Sequence, residues 1–108
     1  MDYITATVRC VLQLCLFEPK GDILVFLPGQ EEIEEALMIL SEKLSFVGHA
    51  GKTFLLPLYA NLPAHEQNKV FAKAPQAEMR KIILSTNIAE TSVTIPGVRY
   101  VVDSGLVK

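Results

Sequence analysis

Apolar residues recur at helical spacing at Ile4, Val8, Val11, Leu12 and Cys15, which is one stripe of an amphipathic helix over residues 2–17. The cluster Glu18-Pro19-Lys20-Gly21-Asp22 breaks that helix. Residues 23–27 are then apolar without interruption, as a strand covered on both faces requires. Pro28-Gly29 ends the strand. From 30 to 44 the period becomes helical again, with Ile33, Leu37, Leu40 and Leu44 on one face and Glu35, Glu42 and Lys43 on the other. A glycine-containing loop over 45–52 leads to a second strand at 53–58. Asn61-Leu62-Pro63 reads as a helix start, with Asn61 or Leu62 near the cap and Pro63 in the first turn of a helix over 64–72. A loop over 74–79 separates it from a third strand at 80–85, and a fourth follows at 99–103. Strands alternating with helices predict a parallel sheet with helices on both faces, a three-layer α/β/α arrangement.

Composition narrows the picture. The chain has 108 residues, half of them apolar and a fifth charged, which fits one globular domain or part of one and excludes disorder. No apolar run is long enough to span a membrane, and no basic segment followed by an apolar core marks a secretory leader, so an intracellular setting without a membrane partner is expected. The net charge of −2 lacks the basic excess of a typical phosphate binder. Any nucleic-acid contact must then rest on backbone N–H groups and hydroxyls. Cys10 and Cys15 are expected to be reduced thiols, and with His49 and His65 they do not make a metal site.

Candidate chemistry concentrates after the third strand, at Ser85-Thr86-Asn87-Ile88-Ala89-Glu90-Thr91-Ser92-Val93-Thr94-Ile95. Neither a helix nor a strand period explains so many hydroxyls. In a parallel sheet this is the carboxyl end, where ligands bind, and short hydroxyls suit phosphate or sugar oxygens. A second phosphate-like string, Gly51-Lys52-Thr53, is rejected. A phosphate-binding loop needs glycine where Phe46 stands, a strand before it and a helix after it, and here the order is reversed. Glu31 and Glu32 read as first-turn carboxylates favoured by the helix dipole, and Asp103 as a residue that orders a strand end.

Four segments in order resemble the second RecA-like domain of DEAH-box RNA helicases. Ile-Leu-Val-Phe-Leu-Pro-Gly-Gln-Glu-Glu-Ile (23–33) is similar to motif IV, and the segment from Leu56 to Phe71 to motif IVa. Residues 85–95 are similar to motif V, and Tyr100-Val101-Val102-Asp103-Ser104-Gly105 to motif Va. The resemblance implies that Gly29, Asn61 and Thr86 face an RNA backbone and that Phe71, Ser92 and Thr94 face a nucleotide, with the ring of Phe71 stacked on adenine. Bland alternatives stand beside these roles. Gly29 also suits a chain-reversing turn, Phe71 suits a core position, and the Thr86 hydroxyl suits capping of free backbone groups. One departure is Pro96, which stands where many family members carry an acidic residue for the ribose and offers neither acceptor side chain nor N–H.

The phosphate-binding loop and Asp-Glu-Ala-His box of the family do not occur in this chain, nor does its Gln-Arg-x-Gly-Arg-x-Gly-Arg motif. The resemblance therefore implies that residues 1–108 are a partial second RecA-like domain. In the parent protein ATP and Mg²⁺ would be held with the first RecA-like domain, while this chain alone would bind neither and hydrolyse nothing. RNA, the first RecA-like domain and activator proteins are the implied partners, and the nucleus or cytoplasm the implied compartment. A non-catalytic RNA- or protein-binding module is the alternative. An unrelated mononucleotide-binding domain lacks the glycine-rich strand-to-helix turn it would need.

Overall fold

The computed structural model describes residues 3–72, 76, 79–86, 95 and 97–103. Helix α1 (Tyr3–Phe17) leads into strand β1 (Asp22–Phe26), and helix α2 (Gln30–Phe46) into strand β2 (Thr53–Leu58) by way of the 3-10 turn Ala50–Lys52. Helix α3 (Ala64–Gln67) continues as the 3-10 turn Asn68–Phe71, and strands β3 (Arg80–Ser85) and β4 (Val98–Asp103) follow. All strand pairs are parallel, in the order β2-β3-β1-β4. Pro57, which has no N–H to give a ladder, lies on the edge strand β2, where that loss is tolerated.

Alternating side chains divide the sheet between two cores. Ile23, Val25 and Leu27 of the β1 segment, Ile82 and Leu84 of β3 and Val102 of β4 pack with Ile4, Val8 and Val11 of α1 and Ile33, Ala36, Leu40 and Leu44 of α2. On the other face Leu56, Leu58 and Ile83 pack with Val70 and Ile95. The three-layer expectation holds, with two long helices on one face and only α3 and its 3-10 extension on the other. That second face is thinly covered: Leu24, Phe26 and Phe54 are half-buried and Val101 is exposed.

The predicted boundaries differ from the structure at helix ends. Helix α2 runs two residues further and ends on Gly48 at φ 81, with Gly48 N–H donating to Ser45 O (3.1 Å) and His49 N–H to Leu44 O (2.7 Å). This pair of bonds is a Schellman end, which needs a left-handed residue and so uses glycine. Gly51-Lys52-Thr53 therefore follows a helix and opens a strand, as its rejection as a phosphate loop required. The third helix is shorter than expected, four α-helical residues and a 3-10 turn. Its cap is Pro63, whose carbonyl accepts the N–H groups of Glu66 and Gln67, and Asn61 lies before it in the turn closed by Leu62 N–H to Tyr59 O.

The register along β1 and β4 slips by one residue, so that Asp22 pairs with Val98 and Ile23 with Tyr100. The extra residue, Arg99, passes directly over Gly21: a Cβ there would lie 2.6 Å from Arg99 Cβ. Glycine at 21 is what leaves room for this bulge.

Candidate functional site

The strand order places a topological switch point at the carboxyl edge of the sheet. From β1 the chain crosses by α2 to β2 on one side. From the neighbouring strand β3 it continues to β4 on the other. Adjacent strands whose exits diverge in this way form a switch point, the usual ligand crevice of an open parallel sheet. Gly29 follows β1 and Thr86 follows β3, so both flank it. Leu27 N–H donates to Ser85 O (2.8 Å), and Thr86 N–H to Leu58 O (3.2 Å), which ties the exits of β1, β2 and β3 into one rim.

Thr86 carries the chemical signal at this rim. Its Oγ1 is buried and makes no hydrogen bond, the one such side-chain atom found among the described residues. Buried hydroxyls are normally paired, because leaving one unpaired costs free energy. The neighbouring hydroxyl of Ser85 is satisfied, donating to Thr86 O at 2.7 Å. A capping role for the Thr86 hydroxyl would require a backbone partner, and none appears.

Gly29 is the N-terminal cap of α2 and its carbonyl accepts Ile33 N–H. Its φ of −161° and ψ of −179° are open to any residue, so a chain-reversing conformation does not require glycine here. A Cβ would approach only Glu32 Oε1, at 3.0 Å. Asn61 is exposed on the turn after β2, at the same rim. Gln67, whose role the sequence pattern did not signal, holds that turn by donating from Nε2 to Leu62 O (2.7 Å).

Phe71 lies elsewhere. It ends the 3-10 turn after α3 and is 44 % exposed, while its neighbour Val70 is fully buried. Val70, not Phe71, supplies the core contact of this segment. Lys81, at the start of β3, reaches the turn: Nζ donates to Val70 O (2.7 Å) and Ala72 O (2.9 Å). From Lys81 to Thr86 the chain advances five residues, about 17 Å at strand rise. The Phe71 turn is thus anchored near the amino end of β3, and the hydroxyl rim at its carboxyl end. Ser92 and Thr94, like Asn87 and Pro96, lie outside the described residues.

A family model described as helicase conserved C-terminal domain matches residues 6–108. The chain belongs to this family. It is 51 % identical over 109 residues to the pre-mRNA-splicing factor ATP-dependent RNA helicase DEAH10 of Arabidopsis thaliana, a match covering 99 % of this chain and 15 % of that protein. It is 50 % identical over 110 residues to the probable ATP-dependent RNA helicase DHR2 of Saccharomyces cerevisiae, again covering 99 % and 15 %. The fold matches that of the E. coli DExH-box NTPase HrpB with a TM-score of 0.80 and 38 % identity, over 95 % of this chain and 12 % of that one. The chain thus spans about a seventh of the length of the curated relatives it matches. The resemblance read from the motifs and the RecA-like fold class are both borne out.

Other polar groups in this helicase C-terminal domain serve its frame. Arg80 is buried and donates from Nη1 to Leu14 O (3.2 Å) and from Nη2 to Glu18 O and Pro19 O (3.0 Å each), closing the end of α1 onto β3. The Tyr100 hydroxyl donates to the same Pro19 O at 2.8 Å. Burial raises the Cys15 thiol above its ordinary pKa, and the nearby Arg80 charge offsets this in part. Among the described residues, no group of three His, Cys, Asp or Glu could hold a metal ion, and no helix is long and apolar enough to cross a membrane.

Proposed function

We propose that this chain is part of the second motor domain of an ATP-dependent DEAH-box RNA helicase. The observation that carries the reading is the buried, unpaired Thr86 hydroxyl on the same rim as the Gly29 backbone and the exposed Asn61. A rim built from a hydroxyl, an amide side chain and a bare backbone suits the sugar-phosphate chain of RNA and carries no base code, so binding is independent of sequence. It also suits a chain of net charge −2, which has no basic excess to offer.

Phe71, Ser92 and Thr94 would face the nucleotide from this domain. The exposed ring of Phe71 supports that role, since an aromatic face left open to water is available to stack on a base. The phosphates and Mg²⁺ would be held by the first RecA-like domain, which is a partner this reading requires. Bound ATP supplies the free energy of the cycle. Closure and reopening of the two domains would then carry the Thr86 rim along the RNA. Activator proteins are further partners on this reading. The nucleus or cytoplasm is the compartment, in keeping with a relative named as a splicing factor.

Two measurements test the reading. In the intact helicase, Thr86→Ala weakens RNA binding in a filter assay by the value of one hydrogen bond to a charged group, about 1.5–3 kcal/mol. The purified chain alone shows no ATP hydrolysis above buffer. Unchanged RNA affinity removes Thr86 from the interface, and RNA-stimulated turnover by the chain alone overturns the division of labour.

A further inference from the structure

Lys81 sits on a strand whose every residue is buried, and is itself only 5 % exposed. Both ends of it are fixed. Its backbone N–H donates to Asp22 Oδ1 (2.9 Å), and its Nζ donates to Val70 O and Ala72 O. Those two carbonyls belong to the residues on either side of Phe71. Among the described residues the ammonium meets these two backbone carbonyls and no carboxylate. Burying an ammonium in that way is costly, and an apolar side chain of similar length would fill the space without the cost. The amine is therefore explained by what it holds.

What it holds is a four-residue 3-10 turn, a conformation with poor internal hydrogen bonding. Only Val70 of that turn is buried. Phe71 itself is 44 % exposed, so burial fixes it less firmly than it fixes Val70. Its direction is set through the backbone. We propose that Lys81 is a positioning residue for Phe71, locking the turn so that the ring is presented ready to stack on a nucleotide base. This rests on the reading that Phe71 is the stacking residue. It adds that the stacking geometry is pre-organised from the opposite side of the turn by a buried lysine.

The test compares ADP and pyrophosphate as competitive inhibitors of ATP hydrolysis by the intact helicase. Pyrophosphate lacks the base, so a stacking defect spares it. Phe71→Ala and Lys81→Met are each expected to weaken ADP inhibition about fivefold or more, the lower end of what base–aromatic stacking contributes, and to leave pyrophosphate inhibition unchanged. In the double variant Lys81→Met adds nothing to Phe71→Ala, because both remove the same contact. If Lys81→Met fails to fold, Lys81→Gln takes its place in the same assays. A loss of ADP affinity in Phe71→Ala but not in the Lys81 variant overturns the positioning role and leaves stacking intact. No loss in Phe71→Ala overturns the stacking reading itself. Equal weakening of ADP and pyrophosphate in the Lys81 variant marks a general defect of the domain and also overturns the proposal.

Discussion

Replacing Thr86 by valine should move stability and RNA binding in opposite directions. The substitution keeps the β-branched shape and exchanges the hydroxyl for a methyl group. In the free domain Thr86 Oγ1 is buried without a partner, and an unpaired hydroxyl in that position costs about 1–3 kcal/mol. The residue as a whole is only half-buried, so the lower end applies, about 1 kcal/mol. For a domain of this size that corresponds to a rise of roughly 4–5 °C in Tm. The same hydroxyl, if it donates to a phosphate, contributes about 1.5–3 kcal/mol to the complex. Thr86→Val should then weaken RNA binding roughly 10- to 150-fold. Thermal denaturation followed by circular dichroism reads the first effect, and fluorescence anisotropy with a labelled single-stranded RNA reads the second. A variant that melts earlier and binds RNA normally would refute the reasoning, because it would show the hydroxyl capping the fold rather than awaiting a ligand.

Gly29→Ala should leave folding nearly intact, costing at most about 1 kcal/mol as a poorer helix cap, yet reduce RNA affinity; equal affinity would show that no backbone approaches it closely. Arg80→Met removes three hydrogen bonds from a charged donor, but Glu18 and Pro19 are exposed and their carbonyls can regain water. The net loss should be about 2–3 kcal/mol, a fall in Tm of about 10 °C, and a change under about 2 °C would contradict the clamp. Cys10 is exposed whereas burial holds the Cys15 thiol protonated to higher pH, so iodoacetamide near pH 8 should alkylate Cys10 first; equal rates by mass spectrometry would contradict that order.

Strand and helix periods were legible because each has one dominant cause. Residues 23–27 and 82–84 are apolar on both faces because α1 and α2 cover one side of the sheet and Val70 and Ile95 pack on the other. Helix ends were less legible. The stop of α2 depends on Gly48 being two residues beyond Phe46, while the apolar stripe ends at Leu44. The third helix is short because Val70 is the sole residue of its 3-10 extension that the core takes up. Lys81 and Arg80 stand at the head of a buried run, where cations are unexpected. That misfit was a readable sign of structural work, but which carbonyls they hold depends on contacts some sixty residues away for Arg80 and on a turn geometry for Lys81. The rim residues Gly29, Asn61 and Thr86 were read together from motif order, and a parallel sheet necessarily collects its strand exits on one edge.

Strand β3 joins the two halves of the proposed mechanism. Its first residues, Arg80 and Lys81, grip the end of α1 and the Phe71 turn, and its exit carries Thr86. It pairs with β2 along its length and with β1 from Ile82 to Ser85, and none of its residues is exposed. A buried strand paired on both edges over most of its length is stiff, because close-packed interiors resist small deformations. The Phe71 turn and the Thr86 rim are therefore held at opposite ends of one element, about 17 Å apart. On the proposed function, a signal between nucleotide and RNA would not pass by bending this domain. It has to pass by moving the domain as a body, so that a shift felt at Phe71 is delivered undiminished at Thr86.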